Sequence, residues 1–158
     1  MESPWKKISA AKWSNMKKAI VVLFIFITSF HFVKAQQAIN VDSAFAFAQQ
    51  KNKMVLLIFS GSDWCKQCMR FEKKILSDSA FDQFADDNLV VVQADFPQSK
   101  KLPPQTAEQN EKLAEKYNHS GSFPLIVLLR PDQKVVAYLD YSNEDSDDFI
   151  KMINRYLP

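Results

Sequence analysis

The chain has two cysteines, Cys65 and Cys68, and they stand together as Cys65-Lys66-Gln67-Cys68. Two thiols one helical turn apart can join in a disulfide without unwinding the helix that carries them. Such a pair can cycle. One sulfur, as thiolate, attacks a substrate disulfide and forms a mixed disulfide. The other then attacks the first, releases the product and leaves the pair oxidised. Cys65 falls where a helix is expected to begin, and the unpaired N–H groups and partial positive charge of a helix N-terminus stabilise a thiolate. Its pKa should therefore lie below the free value of about 8.5. Lys66 adds to that stabilisation and Asp63 opposes it. Cys68, one turn further in, is left to resolve the mixed disulfide.

Three other uses of the pair compete. A purely structural disulfide would close a four-residue loop and stabilise by only about 2 kcal/mol, in a chain long enough to bury a core without it. A closed zinc site needs four ligands. With no second cysteine pair, and His119 as the only histidine beyond the leader expected over residues 1–35, it would have to borrow a ligand from another chain. Inert core cysteines fit poorly after Ser60-Gly61-Ser62-Asp63, a loop expected to leave the pair exposed.

The elements that must position the pair follow from the hydrophobic pattern. Asn40-Val41-Asp42-Ser43 offers N-cap residues for a helix carrying Ala44, Phe45, Phe47 and Ala48 to about Lys51. Met54 to Phe59 is an unbroken apolar run, the mark of a strand buried on both faces. A helix from Cys65 takes Met69, Phe71, Ile75 and Leu76 as its apolar set. Ser77-Asp78-Ser79 interrupts it and caps a further turn with Phe81 and Phe84. Leu89 to Ala94 is the next strand, and Phe96 to Thr106, with Pro97, Pro103 and Pro104, a long loop. A charged helix spans Ala107 to Tyr117 with Leu113 and Ala114 inward. Pro124 to Leu129 and Val135 to Leu139 form a hairpin about Arg130-Pro131-Asp132-Gln133. A last helix follows the acidic stretch Ser142 to Asp148 and runs through Phe149, Ile150, Ile153 and Tyr156. A weak additional strand is expected near Ala38-Ile39. This order gives an α/β fold, a mixed sheet covered by helices on both faces.

Composition excludes several other functions. Apolar residues make up 47% of the chain and charged ones 24%, which excludes wholesale disorder. With two glycines, Gly61 and Gly121, no phosphate loop or dinucleotide fingerprint can be built. The acidic run Glu144 to Asp148 lacks the alternating ligands and central glycine of a calcium loop. Lys100-Lys101 reads as solvated loop charge and His119 as a surface histidine near the Gly121–Pro124 segment.

Residues 54–68, Met-Val-Leu-Leu-Ile-Phe-Ser-Gly-Ser-Asp-Trp-Cys-Lys-Gln-Cys, resemble the central strand, Trp-Cys-x-x-Cys loop and helix start of the thioredoxin-like superfamily. Ser122-Phe123-Pro124-Leu125-Ile126-Val127 is similar to the segment where that family opens a strand with a cis-proline, and Asn88 to Asp95 to its middle strand. The resemblance covers about residues 40–156. It is strongest to secreted bacterial thioredoxin-like proteins with a Gly-Ser-Asp-Trp-Cys motif and a proline-rich insertion after the second strand. It implies a mixed central sheet with helices on both faces and dithiol–disulfide exchange without metal or organic cofactor. By position it makes Cys65 the nucleophile, Cys68 the resolving thiol and Pro124 the cis-proline. Pro124 has no N–H to donate, which leaves neighbouring backbone free to pair with an extended substrate. Trp64 and Phe123 would be apolar substrate contacts; plain packing of Trp64 and an ordinary strand-start role for Pro124 stay open.

The chain departs from that pattern at several positions. Phe59 stands where thioredoxins usually bury an acid six residues before the first cysteine, and Val91 where its lysine partner falls. Proton handling for Cys68 is left to water, Asp95 or Glu72. The dipeptide Lys66-Gln67 is neither Gly-Pro nor Pro-His, the pairs usual in reducing thioredoxins and strong oxidants. The favoured expectation is a reductase or isomerase-type oxidoreductase, monomeric, acting on thiols and disulfides of exported proteins. It would be recharged by a membrane thiol-transfer protein. The alternative is a protein-binding or membrane-tethered assembly module on the same fold with secondary redox activity.

Export is expected from the first 35 residues. Lys17-Lys18 precedes fifteen uncharged residues, Ala19 to Val33, short for the span of about 20 that a membrane helix needs but suited to a signal peptide. Val33-Lys34-Ala35 predicts cleavage after Ala35, with residues 36–158 as the exported domain. Met16 is an equally good start, which would make residues 1–15 an upstream extension, and an uncleaved anchor holding the domain at the membrane is the competing reading. The whole chain carries a net charge of +2, and residues 1–35 hold six lysines against Glu2. The remainder therefore has 14 basic and 17 acidic side chains, a net −3. The basic balance belongs to the leader, and the nucleic-acid reading it invites falls away.

Overall fold

A computed structural model describes residues 40–157; the expected leader, its cleavage position and the weak strand near Ala38-Ile39 lie outside them. Helix α1 spans Val41–Lys51, with Asn40 as the expected cap accepting from the Asp42 N–H. Strand β1 is Met54–Ser60 and helix α2 Lys66–Phe71, continued by a wider π-turn, Glu72–Leu76. Then come α3 (Ser79–Asn88), β2 (Leu89–Asp95), α4 (Pro104–Tyr117), β3 (Leu125–Leu129), β4 (Val135–Leu139) and α5 (Ser146–Asn154).

The four strands form one mixed sheet in the order β2-β1-β3-β4, as the α/β reading expects. β1 lies parallel to β2 and antiparallel to β3. β1 alternates its side chains between two cores. Leu56 and Ile58 meet Phe71, Ile75, Phe81, Phe149 and Ile153 on one face. Val55, Leu57 and Phe59 meet Phe45, Ala48, Leu113 and Tyr117 on the other. Burial on both sides is why the strand reads as a continuous apolar run.

Several expectations need correction. Phe47 and Met69 are 46% and 43% exposed. Val41, Ala44, Phe45 and Ala48 keep the 3, 4, 7 spacing of one helix face and Phe47 falls off it; Cys68, Phe71 and Ile75 do the same to Met69. The further turn after Asp78 is a full ten-residue helix, its cap accepting from the Ala80 and Phe81 N–H groups. α4 starts at Pro104 rather than Ala107, because the first helical position needs no N–H. α5 stops at Asn154 and leaves Tyr156 43% exposed.

The register positions the site. Ser60 pairs with Asp95 and Phe59 with Leu125. The chain leaving β1, the chain leaving β2 and the chain entering β3 therefore converge at one end of the sheet. Loops beyond the carboxyl ends of parallel strands are where α/β folds build their sites.

Candidate active site

Cys65 is the N-cap of α2. Its extended backbone leaves the first-turn N–H groups of the helix without carbonyl partners, and its own sulfur accepts one of them: the Cys68 N–H donates to Cys65 Sγ at 3.1 Å. A cap that accepts through sulfur stabilises the sulfur best when it is negative. Cys65 and Cys68 are joined in a disulfide, S–S 2.07 Å. The pair is less exposed than its loop context suggests, 7% for Cys65 and 4% for Cys68, because the sulfur folds back over the first turn to meet its partner.

Trp64, 39% exposed, packs its indole edge-to-face on Phe123 with ring centroids 5.3 Å apart. Phe123 in turn meets Phe96 at 5.5 Å, so the rings of Trp64, Phe123 and Phe96 adjoin. Such aromatic pairs contribute about 0.5–1.5 kcal/mol each beyond area burial. The Phe123–Pro124 peptide bond is cis. The turn before it is held by buried Asn118, which donates to the Ser122 carbonyl and accepts from the Ser122 N–H. Gly121 takes a φ of +64° there, open to glycine at little cost. At Gly61 the need is closeness: a Cβ would lie 2.3 Å from the Trp64 indole.

The residues just before Cys65 are fastened to a strap, residues 95–99, that begins the proline-rich loop. The Ser62 N–H and hydroxyl donate to the Asp95 carboxylate at 2.8 and 2.7 Å. The Gln98 and Ser99 N–H groups donate to the Asp63 carboxylate at 2.9 and 2.6 Å, as does the Ser99 hydroxyl. The Trp64 indole N–H donates to the Phe96 carbonyl at 2.7 Å. Sequence reading missed this clasp, since its partners stand more than thirty positions apart and a lone Ser-Asp carries no local signal. It also places Asp95 on Ser62, while Glu72 accepts from Gln93 at 3.4 Å. Lys100 lies 3.7 Å from Asp95, and His119 is exposed.

Gln67 donates from Nε2 to the Tyr141 carbonyl at 2.9 Å and so ties the dipeptide between the cysteines to the chain leaving β4. Among the described residues no cluster of three or more histidine, cysteine or acidic side chains could hold a metal, and no helix is long and apolar enough to cross a membrane.

The hydrogen bonds from Ser99 and Gln98 hold the Asp63 carboxyl down at about 2, from an ordinary 3.8. Folding thus favours the carboxylate. The stability this contributes is complete above the ordinary value and is lost as pH falls through about 2. An acid titration followed by the Gln98 and Ser99 N–H resonances should show the clasp closed at pH 4 and opening only as pH falls through about 2. Opening centred near the ordinary value would remove this account of Asp63.

Comparison with known proteins places these features. The thioredoxin-like family pattern matches residues 34–131. The chain is 34% identical over 114 residues to the disulfide bond reductase DsbH of Chlamydia pneumoniae, a match covering 72% of this chain and 68% of that one. A solved DsbH oxidoreductase superposes with a TM-score of 0.68 at 29% identity, over 72% of this chain and 78% of that one. A disulphide isomerase from Xylella fastidiosa superposes with a TM-score of 0.57 at 20% identity, over 78% of this chain and 96% of that one; this likeness shows the fold alone.

Proposed function

The chain belongs to the thioredoxin-like family and is a thiol–disulfide oxidoreductase, and from that premise we propose that it is an exported reductase of disulfides in other exported proteins. The observation that carries the exchange chemistry is the sulfur cap, Cys65 Sγ accepting the Cys68 N–H at the start of α2; the reductase direction is supported by the 34% identity to the disulfide bond reductase DsbH. In the reduced protein that N–H and the helix dipole favour a Cys65 thiolate.

The thiolate attacks one sulfur of the substrate disulfide. The substrate S–S bond breaks, a Cys65–substrate bond forms, and the released sulfur takes a proton from water. Cys68 then loses its proton and attacks Cys65 Sγ. The substrate leaves as a dithiol, reduced by two electrons, and the Cys65–Cys68 pair is oxidised by two. With Phe59 fully buried where the family usually has an acid, water takes the Cys68 proton. Trp64 and Phe123 contact the incoming chain, and Pro124, which has no N–H, leaves backbone beside the disulfide open to it.

Two cysteines hold one electron pair, so each turnover needs a separate dithiol donor, and a membrane thiol-transfer protein suits an exported enzyme. Cleavage after Ala35 would free residues 36–158 outside the cytoplasm. Export also fits the redox chemistry, since protein disulfides persist there.

The test is insulin-disulfide reduction by the full chain with dithiothreitol as donor. The enzyme should speed insulin precipitation well above the dithiothreitol blank. A rate equal to the blank would replace this reading with a binding module.

A further inference from the structure

Resting on that reading, we propose that Asp63 is a positioning residue that selects polypeptide disulfides over small ones, by clasping the strap 95–99 against the Trp64–Phe123 wall. The wall has two parts distant in sequence, the Trp64 loop after β1 and Phe96 after β2. Phe123 joins them by contacting both rings, at 5.3 and 5.5 Å. Phe123 also immediately precedes Pro124, so anything that moves Trp64 or Phe96 changes the surface beside the disulfide.

Asp63 directly precedes Trp64 and fixes the far part of the strap. Its two carboxylate oxygens take both the Gln98 and Ser99 N–H groups and the Ser99 hydroxyl. The nearer part is held otherwise, by Ser62 on Asp95, Trp64 on the Phe96 carbonyl and the Phe96 N–H on the Ser60 carbonyl at 2.8 Å. Beyond Ser99 the loop continues through Lys100, Lys101 and Pro103 to α4, and Lys100 has 61% of its side chain exposed. Among the described residues only Asp63 holds residues 98–99 against the active loop by hydrogen bonds, so without it the far end of the strap is free to lift from the wall.

A polypeptide lies along this wall, whereas a small disulfide needs only the sulfur. The Asp63 carboxylate bonds to the strap, while the Cys65 sulfur is capped by Cys68. Loss of the clasp should therefore weaken polypeptide binding far more than attack on a small disulfide.

The test compares full-chain wild type, Asp63→Ala, Asp63→Asn and Ser99→Ala. Each is assayed for kcat and KM on insulin and on bis(2-hydroxyethyl) disulfide, and for reduction potential. Asp63→Ala should raise KM for insulin about tenfold, the scale of one charge-assisted hydrogen bond. Ser99→Ala keeps the Asp63 charge, so its potential should be unchanged, and the KM of each variant for the small disulfide should move by less than about twofold. Ser99→Ala and Asp63→Asn keep part of the clasp and should shift insulin KM in the same direction by less, which carries the test if Asp63→Ala does not fold. Equal losses on both substrates, a shifted potential in Ser99→Ala, or an unchanged insulin KM in every variant would overturn the proposal. A wild type inactive on both substrates would instead overturn the proposed function, and it shows before any variant is measured.

Discussion

Replacing Cys65 with serine should abolish insulin reduction, lowering turnover by at least about a thousandfold, because the attacking species is a thiolate and a serine hydroxyl stays protonated at neutral pH. The geometry isolates the chemical loss from a structural one. A serine Oγ at the N-cap can still accept the N–H that Cys68 donates to Cys65 Sγ at 3.1 Å, and serine is a favoured cap. The folding cost is loss of a disulfide that closes a four-residue loop, about 2 kcal/mol. Neither cysteine belongs to either of the two cores packed around β1. Circular dichroism should therefore show a folded, inactive protein. A Cys65→Ser enzyme that keeps more than about a tenth of wild-type turnover would place the nucleophile elsewhere.

Replacing Cys68 with serine should have an equally large effect with a different signature. Cys65 can still open the substrate disulfide, but nothing displaces the substrate from it. Turnover should fall by about a hundredfold or more, and a covalent enzyme–substrate adduct should accumulate, seen by mass spectrometry and lost on adding dithiothreitol. With Cys68 replaced the chain has no second thiol, so the adduct should persist until dithiothreitol displaces the substrate from Cys65. Absence of an adduct would show that the second sulfur, not the first, makes the initial attack.

Much of this architecture can be read from local pattern. Met54 to Phe59 reads as a doubly buried strand because both of its faces are apolar, and that is how β1 lies. Cys65 reads as a helix start because a strand, a Gly-Ser-Asp loop and a helical apolar spacing follow in order. Misreadings arise where hydrophobicity stands without a partner. Phe47, Met69 and Tyr156 are large and apolar, yet each is exposed. Glu72–Leu76 widens into a π-turn, which a 3.6-residue period does not anticipate. The clasp was out of reach for a different reason. Asp63 meets Ser99 across 36 positions, and only the parallel pairing that sets Ser60 beside Asp95 brings those loops together. Asp63 reads as a charge opposing the thiolate; its carboxylate also serves the strap.

The reduction potential of the Cys65–Cys68 pair, from equilibrium with glutathione buffers, tests the central claim most directly. The potential measures how strongly the capped thiolate and its surroundings favour the reduced over the oxidised pair, and about 30 mV corresponds to 1.4 kcal/mol. A reductase should give a value near −270 mV, as for thioredoxin. A value near −120 mV, that of a strong oxidant, would contradict the account.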